Sequence, residues 1–413
     1  MRVARRDPFG FERVFYHREK NLTSASISGL VRTVQAQARA EPGTCMTGDV
    51  GPGGSSANAP VPGASRASLS SDWRPDEEAI LAYLAGSRLT GRTVLERVRA
   101  VPPGHQLHRV DDRWVLQAED GPAPGPLGSL RGQISGGIDT GVALTLEPAS
   151  LTEDVPCIKA ALVAALRDAL DSGKRPALAL SGGLDSALLL ALLREIGADH
   201  VPVYILTTRI AAYDELTAAM DMADRMHASV RVVEADAEAF IAALPRVVAH
   251  VEEPLYNLHP VAKLLLANAM AADGIELALS GDGADQVMRR DRSADYLPLC
   301  NSLFAAASVE LRPPFLDDGV VQCLTRLPAD PDKQCLRALG QALELPTRLV
   351  RGPKHSRLAP AFDLHPWMPR DRIAELADAL RLPRPALQTD AERVGWTTLQ
   401  LCLEQLHNAA RGV

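Results

Sequence analysis

The six cysteines, Cys45, Cys157, Cys300, Cys323, Cys335 and Cys402, form no Cys-x-x-Cys pair and no other metal-ligand spacing, which leaves no zinc-site signature to follow. Basic charge is not in excess either: 44 Lys and Arg against 51 Asp and Glu give a net charge of −7. Non-specific nucleic-acid binding depends on basic surface, so no nucleic-acid partner is expected. No apolar run approaches the ~18 residues of a membrane span. Arg2, Arg5 and Arg6 are not followed by the apolar stretch of a secretory signal. These absences together predict a cytoplasmic enzyme with no membrane partner and with its cysteines kept as buried free thiols.

What is present is an ordinary globular balance, 46% hydrophobic and 23% charged over 413 residues, enough for two or three domains with substantial cores. Residues 1–120 read as a small α+β N-terminal domain. It has a helix over Ile27 to Ala40, a Gly, Pro, Ser and Ala-rich flexible segment at 41–70, and a helix opened by Asp76-Glu77-Glu78. A hairpin joins Gln106–Val110 to Trp114–Gln117 across Asp111-Asp112. Residues 121–153, again rich in Gly and Pro, read as a linker. From 154 to 413 strands alternate with helices. Strands are expected at Ala177–Leu180, Val201–Leu206, Val230–Val233 and Ile275–Leu279. Helices are expected at Ala187–Leu193, Asp214–His227 and Val261–Ala272, and the chain beyond about 300 is mainly helical. Alternation of this kind predicts an α/β domain with a largely parallel sheet covered on both faces.

The chemistry is concentrated in Leu180-Ser181-Gly182-Gly183-Leu184-Asp185-Ser186, between the first of these strands and a helix. Two glycines let the backbone turn tightly and bring N–H groups toward an anion. The helix start adds its positive dipole end, and Ser181 and Ser186 add hydroxyl donors. Asp185 repels phosphate and suits Mg²⁺ instead. The loop lacks the Gly-Lys-Ser/Thr of a Walker A motif. It matches the PP-loop of ATP pyrophosphatases, which cut ATP between the α and β phosphates. Ser280-Gly281-Asp282-Gly283-Ala284-Asp285 follows another strand. Loops at the carboxyl ends of parallel strands converge on one crevice, so the two loops are expected to share a nucleotide.

With these motifs in place the sequence resembles the asparagine synthetase family. Glu252-Glu253-Pro254 is similar to the family's D-E-P, Ser280–Asp285 to its S-G-E-G-x-D, Val309–Asp317 to its V-E-x-R-x-P-F-L-D, and Gly352-Pro353-Lys354 to its R-P-K. The resemblance covers about 155 to 365 and implies an adenine nucleotide α-hydrolase-like fold with ATP and Mg²⁺ as cofactors. It implies that Leu180, Ser280 and Gly281 contact adenosine, and that Ser181, Gly182, Gly183 and Ser186 cradle pyrophosphate. Asp185 and Asp285 would hold Mg²⁺, and Lys354 would stabilise developing charge. Arg312 is expected to be structural, tied to Glu310 or Asp317. Residues 76–105 resemble the end of the family's glutaminase domain in reduced form. The chain begins Met1-Arg2, where that domain needs a cysteine nucleophile, so no glutamine hydrolysis is expected.

The expected activity is adenylation of a carboxylate followed by attack of an amine, in natural-product biosynthesis. The partner is a small-molecule or peptide substrate with a carboxylate, with ammonia as a candidate amine; an oligomer is compatible with the sequence. Asp282 would bind or deprotonate the amine; alternatively it caps the following helix. Gln286, Met288, Arg289 and Arg290 depart from the family pattern, which points to a changed substrate. Leu255–His259 and Arg289–Tyr296 are candidates to line its pocket. Other readings are an ammonia-dependent asparagine synthetase, a β-lactam synthetase-like or lasso-peptide cyclase-like intramolecular amide former, another PP-loop chemistry on tRNA, and an inactive nucleotide-binding module.

Overall fold

The computed structural model describes residues 2–5, 11, 13–40, 73–111, 113–118, 148–208, 216–290, 296–352 and 364–411. The segment read as flexible, nearly all of the expected linker, and Cys45 and Lys354 lie outside them.

The N-terminal part runs β1 (Arg2–Arg5), β2 (Phe15–His17), β3 (Thr23–Ser24), α1 (Ile27–Ala40), α2 (Glu77–Leu84), β4 (Val98–Ala100), β5 (His105–Val110) and β6 (Arg113–Ala118). Asp76 caps α2 by accepting from Ala79 N at 3.0 Å, as its acidic opening predicts. The expected hairpin is β5–β6, paired antiparallel from His105↔Ala118 to Val110↔Arg113. Sheets of order β1-β5-β6 and β3-β2-β4 result.

The rest runs α3 (Pro148–Leu170), β7 (Pro176–Ala179), α4 (Leu184–Glu195), β8 (Val203–Thr207), α5 (Leu216–Arg225), β9 (Val230–Glu234), α6 (Ala237–Val251), α7 (His259–Ala272), β10 (Leu277–Ser280), α8 (Ala284–Arg289), α9 (Tyr296–Ala306), β11 (Glu310–Arg312), α10 (Asp318–Arg326), α11 (Gln334–Ala342), α12 (Thr347–Arg351), α13 (Arg370–Ala379) and α14 (Asp390–Arg411). The strands form one parallel sheet of order β11-β10-β7-β8-β9. The α/β reading is therefore borne out. β11 is an addition, a three-residue strand inside a stretch that reads as helical.

Period-two alternation assigns the two faces of the sheet. Leu178, Val203, Ile205, Leu277 and Leu279 pack in a core with residues of α3, α4, α5, α10 and α11. Ala177, Ala179, Tyr204 and Ala278 face α7 and α9, where small residues let the helices approach closely. A further core has no seam between the two parts of the chain. Phe15, Ile27, Leu30, Trp73, Ile80 and Leu95 pack in one cluster with Phe240, Val247, Val251, Leu264, Leu399 and Cys402.

Cys157 and Cys323 correct the free-thiol expectation. They form a disulfide across α3 and α10, with Cα atoms 6.6 Å apart and a sequence separation of 166. The pairing depends on two distant helices packing side by side, which no local pattern records. Cys300, Cys335 and Cys402 are buried free thiols, as expected. Burial and a nearby carboxylate push Cys300 and Cys335 up to about 12, which keeps both protonated and inert. Among the described residues no helix is long and apolar enough to cross a membrane.

Candidate active site

From β7 the chain steps outward through β8 to β9, then returns to place β10 on the other side of β7. The strand order reverses there, and an open parallel sheet opens its ligand crevice at that point. The two glycine loops follow these two strands. Each therefore reaches the crevice, as the sequence predicts.

The first loop turns at Gly182, with φ +72°, and enters α4 through Gly183. Its hydroxyls organise it: Ser181 N donates to Ser186 Oγ at 3.1 Å, and Ser186 Oγ donates to Gly183 O at 3.2 Å. The second loop lies against the first. A Cβ on Gly281 would stand 2.9 Å from Asp185 Cβ and 3.0 Å from Ser186 N, so glycine is required for the two to meet. Gly283, with φ +89°, starts α8 and aims Asp285 back toward Asp185.

A cavity of about 660 Å³ opens above the loops. It is lined by Leu180 to Ser186, Ser280 to Gly283 and Asp285, a size suited to a cofactor-scale ligand. Every site residue expected from the sequence lies on it except Lys354, which is outside the described residues. His259, Ala262, Lys263 and Leu266 form another part of its wall. They recur at i, i+3, i+4 and i+7, one face of α7. Tyr296 joins them from the start of α9.

Lys333, which sequence reasoning missed, sits between the two expected metal carboxylates. Its Nζ lies 2.5 Å from Asp185 Oδ2 and 3.2 Å from Asp285 Oδ1. It precedes α11 in a left-handed conformation, φ 57°, that a lysine adopts only when its surroundings enforce it. The buried Asp330 supplies part of that enforcement, accepting from Cys335 N at 3.1 Å while its carbonyl accepts from Lys333 N at 3.1 Å. A lysine after Pro331-Asp332 carries no local signal; only the fold brings it 148 positions back to Asp185.

The donor set fits Mg²⁺. Two facing carboxylates already share one cation, and Mg²⁺ is usually held by one or two carboxylates together with substrate phosphates. Among the described residues no cluster of three or more His, Cys, Asp or Glu forms a protein-only metal cage. The nearby cations Lys333, Arg337 and Arg348 on the cavity wall suit a phosphate chain.

Asp282 does not cap α8, whose N-cap is Gly283. Its Oδ2 accepts from Lys263 Nζ at 2.7 Å and from Ser280 Oγ at 2.9 Å. The Lys263 ammonium stands 5.7 Å from the centre of the Tyr296 ring. Of the pocket candidates, His259 and Tyr296 reach the cavity. Leu255 and Leu258 are buried in the core instead, because the turn before α7 faces inward. Arg290 donates to Leu324 O and Leu327 O, a structural role, and 291–295 lie outside the described residues. Arg312 is structural as expected, bound to Glu310 and to Asp168 rather than Asp317.

Residues 158–290, which hold both loops and α7, match the asparagine synthase family. The protein carries an asparagine synthase domain. This supports an ATP-using, nucleotide-binding ligase. A curated relative, amidase chyE of Penicillium rubens, is 24% identical over 220 residues. That match covers 48% of this chain and 30% of the relative, so the chain spans under a third of it. Two solved structures are similar at low level. An NH3-dependent NAD synthetase from Campylobacter jejuni is 14% identical with a TM-score of 0.32, covering 51% of this chain and 80% of that one. An NMN synthetase from Francisella tularensis is 15% identical with a TM-score of 0.33, covering 63% and 93%. Beside the asparagine synthase domain these likenesses add no detail to the site.

Proposed function

We propose that the protein is an AMP-forming amide synthase that adenylates a carboxylate and lets an amine attack, in natural-product biosynthesis and without glutamine hydrolysis. The observation that carries this reading is the meeting of the two glycine loops around Asp185, Lys333 and Asp285. In this reading Ser181, Gly182 and Gly183 present N–H and hydroxyl donors to the phosphates, while Leu180, Ser280 and Gly281 border the adenosine. Asp185 and Asp285 would hold Mg²⁺, which would supply charge neutralisation for the phosphate chain. The Lys333 ammonium, beside both carboxylates, would donate to the phosphates.

The substrate carboxylate oxygen attacks the α-phosphorus, and pyrophosphate leaves. The amine nitrogen then attacks the acyl carbon, AMP leaves, and the nitrogen gives up a proton. Asp282 borders the space for that amine, oriented by Lys263 and Ser280. Lys354 keeps its expected role of stabilising charge near this step. Residues 1–120 are, in this reading, a reduced glutaminase-like domain.

The test supplies ATP, Mg²⁺, aspartate and ammonium and follows products by mass spectrometry. Asparagine with stoichiometric AMP would make the protein an ammonia-dependent asparagine synthetase. ATP binding without turnover moves the search to acids that carry their own amine, and ADP with phosphate would overturn the AMP-forming reading.

A further inference from the structure

The Glu252-Glu253-Pro254 motif does not line the cavity. Glu252 ends α6 in a left-handed conformation, φ 54°. That position usually belongs to glycine, and a side chain there is strained. The side chain explains the residue choice. Glu252 is 6% exposed, and its two oxygens accept from Ile27 N at 2.5 Å and Ser28 N at 3.1 Å. These are N–H groups of the first turn of α1, which have no partner within their own helix, and the carboxylate also meets the positive end of that helix. A glycine would relieve the backbone and lose both bonds.

The residues around Glu252 are tied to the same N-terminal part. Arg13 donates to Val251 O at 2.5 Å and pairs with Glu253 at 3.3 Å. Tyr83 OH donates to Leu255 O at 2.6 Å. Leu89 N donates to Tyr256 OH at 3.0 Å, and that hydroxyl donates to Ser87 O at 3.0 Å. From 251 to 256 the chain is thus held by Arg13, α1, α2 and the loop after α2, and Leu255 N also donates to Thr398 Oγ1 of α14 at 2.9 Å. It then enters α7, whose His259 and Lys263 stand in the cavity wall and whose Lys263 orients Asp282. The Ser181–Ser186 loop is held differently, by its own hydroxyls and by Gly281.

We infer that the N-terminal part is a buttress for the α7 wall of the cavity, and that Glu252 is the positioning residue that couples them. The catalytic meaning of this coupling rests on the amide-synthase reading, in which that wall holds the acid and the amine. The buttress acts through α7 and leaves the Ser181–Ser186 loop as it is.

The test is hydrogen–deuterium exchange on full-length Glu252→Ala and Glu252→Gln, with Mg·ATP titration on each. In Glu252→Ala, exchange across 255–266 speeds up by about tenfold or more, as expected when a local tie is cut. Glu252→Gln, which keeps one acceptor oxygen, gives a smaller acceleration. Exchange across 176–190 and the affinity for Mg·ATP stay within about twofold of wild type. In the product assay, the KM for the acid rises while that for ATP holds. Tyr83→Phe removes the hydroxyl that meets Leu255 O and Thr398 Oγ1 and gives the same local pattern more weakly, which covers the case of an unstable Glu252→Ala. Unchanged exchange at 255–266, or equal acceleration everywhere, overturns the buttress. A wild-type chain that fails to bind Mg·ATP while the local exchange pattern holds would overturn the amide-synthase reading and leave the buttress standing.

Discussion

On one side of the cavity, Ser181–Ser186 and Ser280–Asp285 shape the space with backbone. Gly182 and Gly283 supply the turns, and Gly281 supplies the close approach. On the other side, His259, Lys263 and Tyr296 shape it with side chains carried by helices. The first side is two six-residue loops held by their own hydroxyls, by the close approach of Gly281 and by Lys333 between their carboxylates. The second is assembled from α7, α9 and, through Glu252, a helix that starts 225 residues earlier. Backbone cradles suit a ligand part that never varies, such as a phosphate chain, whereas side-chain walls are where a change of substrate is made.

Lys333 gives the largest expected contrast between the sides. Lys333→Met removes the ammonium between Asp185 and Asp285, and Mg·ATP binding should weaken by about 10–100-fold, the worth of a charge-assisted hydrogen bond. Isothermal titration reads this directly. Tighter binding in the variant would mean that Lys333 only stands in for the metal and never reaches the phosphates.

Lys263→Met should weaken Mg·ATP binding less than Lys333→Met does, because Lys263 meets the second glycine loop at Asp282, whereas the ammonium between Asp185 and Asp285 is that of Lys333. Amide formation should fall, since Asp282 loses the donor that orients it. A loss of ATP affinity as large as that of Lys333→Met would erase the division of the cavity into two sides.

The same contrast explains what was legible in the sequence. β7, β8 and β10 are buried apolar runs, β9 is a half-exposed edge strand, and all four declare themselves within a residue or two. The two loops are legible because Gly, Ser and Asp at fixed spacing have few other uses at a strand end. β11 escaped notice because three residues, Glu310–Arg312, make no periodic signal beside long helices. Lys333, Glu252 and the Cys157–Cys323 bond escaped for one shared reason. Each acts on a partner 148 to 225 positions away, and each is an ordinary residue until the fold supplies that partner. Asp282 lines the cavity, yet its partners Lys263 and Ser280 could not be named together from spacing alone.

The central claim is that Asp185 and Asp285 hold the metal of a bound nucleotide between the two glycine loops. Mg·ATP titration of wild type and Asp185→Asn, each with and without a chelator, tests it most directly. The account predicts Mg²⁺-dependent binding by the wild type and an affinity at least about 100-fold weaker in the variant. Equal binding by the two proteins, or binding indifferent to Mg²⁺, would contradict it.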